Sequence, residues 1–286
     1  MSDHLAPRAC VAGSPVAHSR SPLIHNFWLR SLGIAGRYDR AEVPPGAFAQ
    51  FAESIGKDGL VGANVTVPHK ENAFTACDKL TANAAELGAV NTLWREKGAL
   101  CGDNTDSAGF LANLDEQAPG WASAVEQVVV IGAGGAARAV VSALLARRAE
   151  RIAIVNRTLE RAERLAAHFG PAASAHVPAA LPRLLARARL LVNASSLGMA
   201  GQPPLDVDVG LLPAQAIVAD LVYVPLETPL LAAAKARGLR AVEGLGMLLH
   251  QAAPGFERWF GARPVVTSEL RALIETDLAR AGERRP

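Results

Sequence analysis

The chain has 286 residues, half of them hydrophobic and a fifth charged, which excludes a disordered or fibrous protein and allows about two cored domains of roughly 100–200 residues each. Its 29 lysines and arginines against 27 acids leave a net charge of +2, too weak a field to select nucleic acid or an anionic membrane. Three cysteines without CxxC spacing argue against a disulfide scaffold or a thiolate zinc site, and no apolar run reaches the roughly 18–20 residues of a membrane helix. The start MSDHLAPRAC lacks a basic segment followed by an apolar core, so a cytoplasmic protein is expected.

In chain order, the pattern predicts a strand over residues 9–13 and a helix opening at Ser21-Pro22, with Ser21 as N-cap and a glycine stop. A strand over 38–43, a helix over 47–55 and a strand over 60–67 follow, then a helix from Lys70 and a strand over 89–94. Such alternation implies βαβ units and a largely parallel sheet. A second unit begins near Gln127 with an apolar strand over 128–131, the pattern of a strand covered on both faces. A glycine turn and an Ala-rich helix to about Arg148 come next, then a strand over 151–155, a helix over 159–169, and strands over 190–193 and 217–221. Thr228-Pro229 opens a helix that stops at Gly238. Two last helices, over 247–260 and 268–281, have no sheet of their own and are expected to pack on the first domain.

The turn Gly132-Ala133-Gly134-Gly135-Ala136-Ala137 fits G-x-G-x-x-A between a buried strand and a helix. Its first glycine permits the tight turn, its second lets the backbone approach a pyrophosphate, and the helix N-terminus supplies amides and positive dipole. The next strand ends not in an acid but in Asn156-Arg157-Thr158, with Arg161 one turn on. A guanidinium fork matches a ribose 2′-phosphate that a carboxylate would repel, so NADP is expected rather than NAD.

Three polar clusters stand in the first hundred residues. In His18-Ser19-Arg20-Ser21-Pro22 the hydroxyls at a helix start could receive a carboxylate, or Ser21 could simply cap the helix. In Asn64-Val65-Thr66-Val67-Pro68-His69-Lys70 the period of two puts Asn64 and Thr66 on one strand face. Lys70, one of only five lysines beside 24 arginines, starts a helix where a cation opposes the dipole. The third cluster is Asn91-Thr92 on a strand, followed by Gly102-Asp103-Asn104-Thr105-Asp106, whose Asp106 could cap the next helix or act chemically. His18, His25, His69 and His250 read as packing or local hydrogen-bonding residues, and no His/Cys/carboxylate spacing suggests a metal.

Together the segments HSRSP, NVTVPHK, GAVNTL, GDNTD, GAGGAAR, NRT, NASSLGM, DLVYVPLETPL and GLGMLLHQA, in this order from about residue 10 to 262, resemble the shikimate dehydrogenase family. The resemblance implies NADPH-dependent, reversible reduction of 3-dehydroshikimate to shikimate in aromatic amino acid biosynthesis. Carried over residue by residue, Lys70 and Asp106 are the catalytic pair; Ser19, Ser21 and Tyr223 bind the carboxylate. Thr66, Asn91 and Gln251 surround the ring hydroxyls, Asn64 supports them, and Met247 lies by the nicotinamide, with Leu221 and Gly244 also at the coenzyme. Two serines at 19 and 21 favour shikimate over the bulkier quinate; a quinate/shikimate enzyme with relaxed substrate or NAD use is the alternative. Ketone reduction wants an ammonium that polarises the carbonyl and then donates its proton, and a neighbouring carboxylate favours that form; Asp106 is expected to keep Lys70 charged.

The implied architecture is α/β in two domains. A mixed or parallel α/β substrate domain is formed by 1–105 and 245–286, and a Rossmann-type doubly wound NADP domain by 106–244, with Gly244 and Gly246 as a flexible return crossing. The partners expected are small molecules, with no nucleic acid, membrane or metal, in a monomer or homodimer.

Overall fold

The computed structural model describes residues 6–124 and 126–283, which divide into two compact units, one of residues 6–105 with 251–283 and the other of residues 106–124 with 126–250. The first unit runs β1 (Arg8–Gly13), α1 (Ser21–Ser31), β2 (Arg37–Glu42), α2 (Phe48–Ser54), β3 (Leu60–Val65), α3 (Lys70–Ala76), β4 (Lys79–Leu80), α4 (Ala82–Leu87), β5 (Thr92–Glu96) and β6 (Ala99–Asp103). Its sheet has the order β2-β1-β3-β5-β6-β4. β1 is parallel to β2 and β3, but β5 is antiparallel to both β3 and β6, so the sheet is mixed.

Several local expectations change here. The strand expected over 89–94 begins at Thr92, so Asn91 precedes it, and it runs on into a hairpin with β6. Lys97 and Gly98 form the two-residue loop at φ 51° and 85°, the paired left-handed conformation that hairpin twist favours; a Lys-Gly pair hides it from a search for Asn-Gly or Asp-Gly. β3 ends at Val65, one residue before Thr66, although the Thr66 amide still donates to Ala12 O at 2.9 Å. Ser21 is the first helical residue of α1 and not its N-cap; Arg20 holds the cap position without a side-chain bond. Instead the Ser21 amide donates to Ser19 Oγ at 3.3 Å, so the neighbouring serine supplies the acceptor. The glycine stop is Gly33, at φ 64°.

The second unit runs α5 (Asp106–Gln117), β7 (Gln127–Ile131), α6 (Gly135–Ala146), β8 (Arg151–Val155), α7 (Leu159–Phe169), β9 (Ala173–His176), α8 (Leu181–Leu185), β10 (Leu190–Asn193), β11 (Ile217–Asp220), α9 (Pro229–Ala236) and β12 (Arg240–Val242). Its six strands are all parallel, in the order β12-β11-β10-β7-β8-β9, the doubly wound arrangement whose direction reverses between β7 and β10. Val128 and Val130 enter one core and Val129 and Ile131 the other, which is why β7 has no polar alternation.

α10 (Leu245–Phe260) and α11 (Ser268–Glu283) close the chain. The part of α10 in the first unit lays Trp259 on β3: its indole donates to Leu93 O at 2.9 Å, and a Cβ at Gly62 would lie 2.0 Å from Nε1. Trp28 of α1 donates to Val265 O at 2.9 Å just before α11, and Arg20 pairs with Asp277 at 3.0 Å. A Cβ at Gly244 would lie 2.5 Å from Leu221 O, so close backbone approach demands glycine, and Gly246 is already in the first turn of α10.

Candidate active site

In the second unit, the carboxyl ends of β7 and β10 flank the point where strand order reverses, the place where open α/β sheets bind ligands. Gly132 leaves β7 at φ 114°, and a Cβ there would lie 2.8 Å from Ala194 O. Gly134 is the N-cap of α6 and Gly135 its first residue; no atom of the protein lies within 4 Å of a Cβ at either. Packing thus requires the first glycine, while the other two leave open space beside Ala133 and Ala136, over the amides of a helix N-terminus. That cradle fits a dinucleotide pyrophosphate.

The loop after β8 is pinned from within. The Asn156 amide donates to His176 O at 3.1 Å and Asn156 Nδ2 to Thr158 O at 2.8 Å, and Thr158 is the N-cap residue of α7. Arg157 and Arg161 are exposed on this loop and the first turn after it. Behind the ends of β10 and β11, Asn193 Nδ2 donates to Asp220 Oδ1 at 2.9 Å, and Thr228 donates to Asp220 Oδ2 at 2.7 Å while accepting from Leu231 N. Burial pushes the Asp220 carboxyl up, and the hydrogen bonds from Thr228, the Val222 amide and Asn193 oppose that. This network fixes the segment carrying Leu221 and Tyr223, whose Leu221 amide donates to Asn193 O at 2.9 Å. Met247 is half-buried against the unit's core, and Asp106 opens α5, where a carboxylate suits the helix dipole.

In the first unit, Lys70 opens α3, half-buried, and its carbonyl accepts from Val90 N at 2.9 Å. His69, buried at the cap position, meets Val43 O through Nε2 at 2.6 Å, a structural tie that holds the start of the helix. Ser19 Oγ and Ser21 Oγ are 3.2 Å apart, and Arg40 clamps Ser19 O with two bonds of 3.2 and 2.6 Å. Asn64 is buried and internally engaged: Oδ1 accepts from the Tyr38 phenol at 2.6 Å, and Nδ2 donates to Asn91 O and Thr92 Oγ1, both at 3.2 Å. Asn91 Oδ1 in turn accepts from Thr92 Oγ1 at 2.9 Å and Thr105 N at 2.9 Å, and Thr105 Oγ1 donates to Gln251 O at 2.8 Å.

Asn64, Asn91 and Gln251 therefore share one hydrogen-bonded framework, while Ser19 and Ser21 bond to each other. Reasoning from the sequence missed its connectors Tyr38, Thr92 and Thr105. The two threonines stand inside quoted segments and were within reach, whereas Tyr38 sits in RYDRAE, whose polar letters give no hint of a buried ring. Among the described residues, no group of three or more His, Cys, Asp or Glu side chains could hold a metal ion, and no helix is long and apolar enough to cross a membrane.

Three family descriptions match the chain: shikimate dehydrogenase substrate binding domain over residues 11–93, shikimate/quinate 5-dehydrogenase over 116–198, and shikimate 5′-dehydrogenase C-terminal domain over 244–266. A curated shikimate dehydrogenase (NADP(+)) of Methylocella silvestris is 59% identical over 276 residues, covering 96% of this chain and 98% of that protein. The crystal structure of shikimate 5-dehydrogenase from Thermus thermophilus in complex with NADP(H) and shikimate is 38% identical, with a TM-score of 0.83 over 96% of this chain and 99% of that one. Quinate dehydrogenase from Corynebacterium glutamicum in complex with NAD is 29% identical, with a TM-score of 0.87 over 95% and 99%.

Proposed function

The chain belongs to the shikimate dehydrogenase family, and on that premise we propose that it reduces 3-dehydroshikimate to shikimate with NADPH, reversibly, in aromatic amino acid biosynthesis. The observation that carries this reading is the 59% identity to an NADP(+) enzyme along almost the whole of both chains.

The coenzyme, when bound, supplies the hydride that the ketone carbon takes up. The amides of Gly132, Ala133, Gly134, Gly135 and Ala136 hold its pyrophosphate, and Arg157 and Arg161, on the loop shaped by Asn156 and Thr158, hold the 2′-phosphate. Met247 would lie by the nicotinamide, and Leu221 and Gly244 would also meet the coenzyme. Ser19, Ser21 and Tyr223 bind the substrate carboxylate. Thr66, Asn91 and Gln251 bind the ring hydroxyls. Asn64 has both amide hydrogens committed to Asn91 O and Thr92, so its part is to hold that framework in place. Lys70 polarises the carbonyl and delivers a proton to the oxygen that becomes the hydroxyl, with Asp106 as its carboxylate partner.

Initial rates for shikimate and quinate, each with NADP and with NAD, test this function. Shikimate with NADP is expected to be the best of the four pairs. Absence of turnover with that pair overturns the assignment, and equal or better rates with quinate and NAD replace it with a quinate enzyme.

A further inference from the structure

Tyr38 lies fully buried on β2, in none of the sequence segments assigned to substrate, yet its phenol bonds the Asn64 side chain in one of them. The hydroxyl donates to Asn64 Oδ1 at 2.6 Å. A phenol has a single proton, and here Asn64 Oδ1 receives it. That bond decides which way the Asn64 amide faces: with Oδ1 turned to Tyr38, Nδ2 must point at Asn91 O and Thr92 Oγ1, where its two hydrogens are used. Thr92 is then aligned to donate to Asn91 Oδ1, beside the Thr105 amide, and Thr105 Oγ1 reaches Gln251 O. The chain from Tyr38 through Asn64, Thr92 and Asn91 to Thr105 and Gln251 is continuous, all of it within the first unit.

The ring itself is held by stacking. His25 lies parallel to it at 4.0 Å between centroids and 4° between planes, with Trp259 at 6.0 Å. Burial pushes the His25 imidazole down to about 3 and the Tyr38 phenol well up, so the stack is neutral and the phenol keeps its proton.

We propose that Tyr38 is a positioning residue for substrate: its hydroxyl sets the Asn64 amide and, through it, the groups that would take the ring hydroxyls. This rests on the function proposed above. Y38F keeps the stacked ring and removes only the hydroxyl, leaving a buried acceptor without its donor. With the Asn64 amide no longer fixed, the KM for shikimate should rise at least several-fold, with kcat within a few-fold of wild type and the KM for NADP unchanged. In an N64A background the same change should add almost nothing, because its effect passes through Asn64. N64D, which retains an acceptor for Tyr38 but loses both donated hydrogens, should raise the shikimate KM in the same way and serves if Y38F does not fold.

The proposal falls if folded Y38F keeps the wild-type shikimate KM, if kcat and the NADP KM move as much as the shikimate KM, if the Y38F effect is undiminished in N64A, or if N64D leaves the shikimate KM unchanged. Wild-type enzyme in the same assay separates the two questions, since failure of its turnover of shikimate with NADP counts against the function and not against Tyr38.

Discussion

Lys70 begins α3, and an ammonium at a helix N-terminus faces the positive end of the dipole, a placement that local stability does not favour. A scarce residue in an unfavourable position is best explained by chemistry. K70A should therefore lower kcat by about 10²–10⁴, the range for a lost acid–base group, while calorimetric titration still detects shikimate binding. Turnover near wild type with substrate bound would remove Lys70 as the proton donor. His25 supports a different prediction. Folded, its imidazole stays neutral down to about 3, whereas in the unfolded chain it protonates below its ordinary 6.5. The unfolded state then binds the extra proton, so the contribution is fully present above pH 6.5 and is lost as pH falls from there towards 3, by about 1.4 kcal/mol per pH unit for one proton. Denaturant unfolding of wild type and H25F at pH 7, 6 and 5 checks this: the variant should lose stability less steeply below 6.5, and parallel curves would refute it. At this scale the sequence was informative where a residue sits in a dense polar segment, as Asn64 and Asn91 do. It was silent where a buried side chain's partner lies across the sheet, as with Tyr38 and Asn64.

Among the elements, the β7–turn–α6 unit was legible almost residue for residue, because an apolar run, a G-x-G-x-x-A turn and an Ala-rich stretch stand in the order and spacing of a nucleotide-binding strand–turn–helix. The two glycine roles at that turn can be separated by experiment. G132A puts a Cβ 2.8 Å from the Ala194 carbonyl at a φ of 114° that side chains rarely adopt, so the protein should be destabilised by several kcal/mol, of the order of other backbone-strain defects. G134A meets no protein atom within 4 Å, so Tm should stay within a few degrees of wild type while the KM for NADP rises. Thermal melts and NADP kinetics on the two variants decide it; a G134A protein with wild-type NADP KM would place the coenzyme elsewhere. The β5–β6 hairpin was less legible, since Lys97-Gly98 carries a weak turn signal and β5 mixes Trp94 with Arg95 and Glu96 rather than alternating cleanly. Pairing with β3 and β6 supplies what local propensity does not.

For the whole molecule, what matters is that each unit has its own sheet and its own cores, with the chain passing between them after Thr105 and again within α10. The groups proposed for the ring of the substrate and the turn proposed for the coenzyme pyrophosphate belong to different units. A ligand slows local opening of the hydrogen-bonded segments that it requires to be folded, so each ligand alone should leave its own imprint on amide exchange. NADP at about a hundredfold excess over its Kd contributes about 2.7 kcal/mol to the segments that hold it, and this should appear as slowed exchange in β7, the turn at 132–136, the start of α6 and the end of β10. Shikimate alone should instead protect the start of α1, the end of β3, residues 89–105 and the helix around Gln251, where Asn64, Asn91 and Thr105 share one network. Exchange measured by mass spectrometry with each ligand separately gives both patterns. If NADP alone protected residues 89–105 as strongly as β7, or shikimate alone protected the glycine turn, the assignment of the substrate ring to the first unit and of the pyrophosphate to the second would be wrong, whatever the turnover assays had given.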